Sequence, residues 1–177
     1  EITWVLTSFL VANAISLPVS GWLTDLLGRK RLFIVATAAF TITSGVCGAA
    51  PSLAVIVLMR FLQGLAGGPL VPLSQATMME TFPATQRGMA MAVWGVGIMF
   101  APIIGPTLGG YITDNWSWRW VFYINIPVGV AAVVLAWLFV PDSTTERPAV
   151  RRVDVTGLVL LVVGVAALQY VLDRGQR

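Results

Sequence analysis

The stretch "GWLTDLLGRKRLF", residues 21–33, separates two long runs without charge. Residues 2–24 contain no Lys, Arg, Asp or Glu, and neither do residues 32–59. Between them Asp25, Arg29, Lys30 and Arg31 crowd together with Gly21 and Gly28. Two apolar runs of about twenty residues, each long enough to cross a bilayer as a helix, joined by a short basic loop, set the fold class.

Composition agrees. Hydrophobic residues make up 57% of the 177-residue chain and charged residues 11%, against about 25% charged in an ordinary soluble domain. Mean hydropathy is +0.84. The apolar runs are continuous rather than alternating, which selects helices over a membrane β-barrel. Six spans follow from hydropathy, at 3–25, 32–50, 52–80, 87–113, 120–140 and 155–172. The third contains "GGP" at 67–69 and the fourth "APIIGP" at 101–106, so both are expected to kink or tilt. The chain begins with Glu rather than Met and enters an apolar run at once. It is expected to be an internal piece of a longer protein.

Loop charge gives the orientation. Arg29, Lys30, Arg31, Arg87, Arg147, Arg151 and Arg152 fall on one side; Arg119, Arg174 and Arg177 fall on the other. The richer side is assigned to the cytoplasm. The outer side then carries Trp116, Trp118 and Trp120, suited to the membrane interface. The net charge of +3 reflects this loop bias, so no nucleic-acid partner is expected. The polar, proline-bounded segment 141–154 reads as a cytoplasmic connector.

The chain has no histidine, and its one cysteine, Cys47, lies in an apolar run. A His/Cys metal site and an intrachain disulfide are excluded. No span has a mid-membrane carboxylate or histidine, so a membrane-embedded enzyme is set aside. No cofactor motif is present.

Three patterns carry chemistry. In the opening stretch, Asp25 precedes Arg29 by four residues and can pair with it; Gly28 permits a tight turn, and Gly21 permits close helix approach. A plain topology signal accounts for the basic triplet but not for Asp25 or the glycine spacing. In "LMRFLQGLAGG", Arg60 stands about 12 Å into its span at 1.5 Å per residue. A central arginine costs about 2.5–3.5 kcal/mol on insertion scales, so it faces protein or water with a partner; snorkelling outward is the alternative. In "APIIGPTLGG", Pro102 and Pro106 remove backbone donors, and Gly105, Gly109 and Gly110 clear a face for packing. A weaker echo links "GWLTD" (21–25) to "GYITD" (110–114), each followed by a basic residue, as in an inverted repeat.

These patterns resemble those of the major facilitator superfamily. Gly21, Leu23, Asp25, Gly28, Arg29 and Lys30 match its loop between helices two and three. Arg60, Gln63, Gly64, Gly67 and Gly68 match its fourth-helix motif, and Gly105, Pro106, Gly109 and Gly110 the fifth-helix motif of its antiporters. "WSWRWVFYINIPVG" and "GLVLLVVGVAALQYVLDRGQR" are similar to the fourteen-helix drug:proton antiporter branch, with its Emr-type exporters. The resemblance covers nearly the whole chain.

What it implies is specific. The fold would be an all-α integral membrane bundle of six transmembrane helices, family helices two to six plus a linker helix. Residues 1–140 would be part of the N-terminal half, 141–154 the connector and 155–177 the linker helix. An upstream helix would carry a membrane-embedded Asp. The opening loop would act as a cytoplasmic gating latch, and Arg60 would serve proton coupling. The function implied is proton-driven efflux of amphipathic drugs from the bacterial cytoplasmic membrane, without a cofactor. The alternative is an uptake permease, or a specific exporter of a metabolite or fatty acid. Partners would be small apolar or amphipathic substrates and membrane lipid, with a periplasmic adaptor and outer-membrane channel in Gram-negative hosts. Asn13, Gln63, Gln75 and Trp94 are candidates for a substrate cavity, with Met78, Met79, Met91 and Met99 as adaptable apolar lining. Asn125 is expected to satisfy backbone freed by Pro127, and Glu80 and Arg87 to pair or stay solvated.

In the intact transporter, Asp25→Asn is expected to slow turnover more than it weakens substrate binding. Unchanged turnover in a vesicle efflux assay would reduce the loop to a topology signal.

Overall fold

A computed structural model describes residues 3–140 and scattered helical positions between 156 and 171. The connector 141–154 and much of the sixth expected span, with Arg147, Arg151, Arg152, Arg174 and Arg177, lie outside the described residues. The elements are α1 (Thr3–Leu27), α2 (Arg29–Ala49), α3 (Leu53–Gly67), α4 (Leu70–Thr81), α5 (Arg87–Asn115), α6 (Trp120–Tyr123) and α7 (Asn125–Phe139). α3 with α4, and α6 with α7, each form one stretch, so among the described residues five segments are long and apolar enough to cross a membrane. A helix satisfies its own backbone hydrogen bonds, which lipid cannot do.

The turns are short because single residues make them. Gly28 adopts φ 81° and ψ 150°, a region open essentially to glycine alone. Its N–H donates to Thr24 O at 2.9 Å, and its own carbonyl accepts from Leu32 N at 3.0 Å. One residue therefore ends α1 and starts α2. The basic triplet expected to be loop is the first turn of α2. Ser52 caps α3, its side chain accepting from Val55 N at 3.5 Å.

The third expected span breaks at the glycine–proline cluster. Gly68 N still donates to Gly64 O at 3.0 Å, and Leu73 N to Pro69 O at 3.0 Å, but Pro69 has no N–H to give. α5, by contrast, runs unbroken through Pro102 and Pro106. Those two rings leave the carbonyls of Ile98 and Pro102 without their usual helical donors.

Successive spans alternate in direction. An Arg29–Glu80 ion pair joins one end of the bundle. At the other end Arg119 Nη2 donates to Ala50 O at 3.1 Å. This places the "GWLTD" and "GYITD" segments, at the close of α1 and α5, at opposite ends, as the inverted echo requires. α3 lies against α1 and α2, α2 also against α6 and α7, and α4 against α5.

The most extensive helix–helix contact among the described residues is that of α3 on α1. A Cβ at Gly64 would collide with Phe9 O and stand 2.8 Å from Ala12 Cβ; one at Gly68 would stand 2.8 Å from both Asn13 O and Ser16 Cβ. Only hydrogen at these positions permits such an approach, the usual way helices associate in lipid. Ser16 Oγ reinforces it with a 2.6 Å bond to Leu65 O. Other span hydroxyls, including those of Thr24, Thr37, Thr41 and Thr77, donate to the carbonyl four residues back in their own helix.

Gly64→Val is expected to destabilise the folded protein by about 1–3 kcal/mol through overpacking. Gly88→Ala, where a Cβ meets nothing within 4 Å, is expected to leave stability unchanged. Thermal unfolding in detergent compares the two.

Candidate functional site

Two clusters bring together residues singled out by sequence. The first lies at the basic end. Arg29 Nη1 pairs with Glu80 Oε2 near the end of α4. The expected Asp25–Arg29 pair is not formed, because the turn at Gly28 starts a new helix and sends Arg29 across to α4. Nor does Glu80 pair with Arg87, whose Nε instead donates to Phe82 O at 3.2 Å. Glu80 is thus a member of the site that its sequence position concealed.

Asp25 is exposed. It lines an open cavity of about 240 Å³ with Ser20, Gly21, Thr24 and Arg29, closed on the far side by Pro72, Leu73 and Ala76 of α4. Arg29 Nε is buried there without an acceptor. Gly21 lies on this exposed rim, and a Cβ there would meet nothing within 4 Å. The close helix approach expected at Gly21 is absent among the described residues. Lys30 is half-buried in the first turn of α2.

The second cluster surrounds Arg60, midway along α3. Its Nη1 donates to Gln63 Oε1 at 2.9 Å, and its Nε to Val5 O of α1 at 3.4 Å. The Phe9 ring centroid is 4.3 Å from its Cζ, and that of Phe122 from α6 is 5.8 Å away. Arg60 is half-buried, turned onto neighbouring helices rather than extended outward along its own. Ring faces attract a desolvated guanidinium, and the two acceptors occupy part of its five-donor fork.

The remaining candidates divide between two helix contacts. Gln63, 1% exposed, is enclosed as the Arg60 partner. Asn13 lies at the α1–α3 contact, its Nδ2 3.5 Å from a Cβ built at Gly67. Trp94 belongs to the α4–α5 contact, where its Nε1 donates to Ser74 Oγ at 3.1 Å; Gln75 is half-buried on α4. Asn125 does not serve the backbone near Pro127. Its Nδ2 donates instead to Ser44 Oγ of α2 at 3.0 Å. Gly105, Gly109 and Gly110 have nothing within 4 Å of a built Cβ among the described residues, so their expected packing face is open. No cluster of three or more potential metal-ligating side chains occurs among the described residues.

The profile of the Major Facilitator Superfamily matches residues 1–174. The chain belongs to this superfamily. The multidrug export protein EmrB of Escherichia coli (strain K12) is 48% identical over 176 residues, 98% of this chain and 34% of that protein. The fatty acid resistance protein FarB of Neisseria gonorrhoeae is 46% identical over 175 residues, again 98% of this chain and 34% of that protein. The chain therefore spans about a third of the length of these relatives. Among solved structures, the E. coli xylose transporter XylE in its inward-open conformation matches with a TM-score of 0.67 at 19% identity. That match covers 97% of this chain and 45% of the other, and shows the fold alone. With five apolar spans among the described residues, this member of the superfamily is a multi-pass protein of the cytoplasmic membrane.

Glu80 is about half exposed, so its pair with Arg29 is worth about 0.2–1 kcal/mol. A double-mutant cycle with Arg29→Gln and Glu80→Gln is expected to return a coupling in that range, read from unfolding midpoints.

Proposed function

We propose that the chain forms part of a transporter that exports amphipathic drugs or similar toxic apolar compounds, driven by protons entering the cell. The observation that carries this reading is Arg60, a mid-span cation held by Gln63, Val5 O and two aromatic rings. A charge this costly to insert is retained where it acts on something. A fixed guanidinium lowers the pKa of a carboxylate brought near it and releases that carboxylate to protonate when the two separate. In the intact protein that carboxylate would come from outside the described residues. No cofactor is required, since the proton gradient supplies the energy. Two relatives named for multidrug export, EmrB from E. coli and from Haemophilus influenzae, support the substrate class.

Transport would proceed by alternating access. The Arg29–Glu80 pair and the exposed Asp25 beside it suit a cytoplasmic latch: half-exposed ion pairs are weak enough to break within each cycle. A periplasmic adaptor and an outer-membrane channel would carry the substrate onward in a Gram-negative host.

A second reading is favoured by the 46% identity to a fatty acid resistance protein. In it the exported amphiphile is a fatty acid. Competition between a cationic dye and a long-chain fatty acid for efflux from vesicles separates the two.

Arg60→Met in the intact transporter is expected to reduce proton-coupled dye efflux to background at normal expression. Normal efflux by that variant would remove Arg60 from the mechanism.

A further inference from the structure

The short helix α6 is fastened to the outer end of α2 by its backbone and its flanks. Ser44 Oγ donates to Phe122 O at 2.9 Å, and Asn125 Nδ2 donates to Ser44 Oγ at 3.0 Å. Arg119 Nη2 holds Ala50 O at 3.1 Å. The Tyr123 ring lies so close to Gly48 that a Cβ there would stand 2.8 Å from two of its carbons. Ser44 and Cys47 are fully buried under this contact.

The hydrogen bond from Ser44 uses the Phe122 carbonyl and not its ring. The ring meets Trp118 edge-on, centroids 6.2 Å apart, and reaches toward Arg60, 5.8 Å from Cζ. The Phe9 ring approaches the same guanidinium from α1 at 4.3 Å. One of the two hydrogen bonds on Arg60, to Val5 O, is already long at 3.4 Å. A flexible cation with a weak bond needs lateral support to keep one orientation, and two aromatic rings on different helices supply it.

We infer that α6 is an abutment for Arg60, and that Phe122 is a positioning residue whose ring keeps the guanidinium on Val5 O and Gln63. This rests on the reading of Arg60 as the coupling cation. Because the latch to α2 uses the Phe122 carbonyl, changing the side chain leaves the latch intact and disturbs only the support.

The experiment uses the intact transporter in proteoliposomes. It measures turnover and substrate KM for Phe122→Leu, Phe122→Tyr, Ser44→Ala and Arg60→Met, with N-ethylmaleimide labelling of Cys47 read by peptide mass. Phe122→Leu is expected to lower turnover about tenfold, the scale of one lost desolvated cation–ring contact, with KM unchanged and Cys47 still shielded. Phe122→Tyr, which keeps the ring face, restores turnover to within about twofold. Ser44→Ala lowers turnover and exposes Cys47. Wild-type turnover in Phe122→Leu beside an inactive Arg60→Met overturns the inference alone. So does a Tyr variant that fails to restore turnover, or Cys47 labelling that rises in Phe122→Leu, since either marks a packing role. Normal efflux in Arg60→Met overturns the reading beneath it. If Phe122→Leu does not fold, Ser44→Ala decides: wild-type turnover with Cys47 exposed overturns the inference.

Discussion

The approach of α3 onto α1 is the constraint on which the other features hang. Lipid offers no hydrophobic drive between helices, so association depends on close packing and interhelical hydrogen bonds. At Gly64 and Gly68 the backbone of α3 meets the carbonyls of Phe9 and Asn13 without a side chain between them. That distance puts Val5 O and the Phe9 ring within reach of Arg60 one turn earlier. A helix standing further off would leave the guanidinium with Gln63 alone. The glycines of the motif set the stage for its arginine, which is a reason for the two to occur together.

The other interhelical bonds are few and differ in kind. Ser16, Ser44, Trp94 and Asn125 reach across to neighbouring helices. Most threonine hydroxyls turn back onto their own helix, where they satisfy themselves and tie nothing together. A polar residue in an apolar span is therefore not by itself evidence of a helix contact. Interhelical bonds in bilayers average only about 0.6 kcal/mol each, so the glycine contact outweighs them in setting the α1–α3 distance.

The bundle was legible from hydropathy because a bilayer imposes a length and excludes charge. The five described spans end within a helical turn of their expected limits. The largest slip, at the start of α2, arises because Arg29–Arg31 are helical although charged: Gly28 turns the chain in one residue, and hydropathy cannot see a dihedral angle. Arg60 was legible as a costly charge, and its partner Gln63 stood in the same motif. Glu80 was not, since it lies fifty-one residues beyond Arg29 and its nearest opposite charge in sequence is Arg87. Phe122 was hidden for another reason. An aromatic residue in a Trp-rich interfacial segment has an ordinary explanation, and only the fold shows Arg60 beside it. The small residues of α5 mark an open face, and spacing does not say what covers it.

The break at Pro69 divides one membrane crossing between two sets of neighbours. α3 belongs to α1 and α2, and α4 to α5 and to α2, the latter including the Glu80–Arg29 pair. A missing rung is a natural hinge, and the outer half is the heavier anchor. From Pro69 to Glu80 the lever arm is about 16 Å at 1.5 Å per residue, so a bend of about 10° would carry Glu80 about 3 Å. That is the length of an ion pair. A small flexure at one proline is thus geometrically sufficient to part the Arg29–Glu80 pair while the Arg60 cluster on the other side of the break stays where it is.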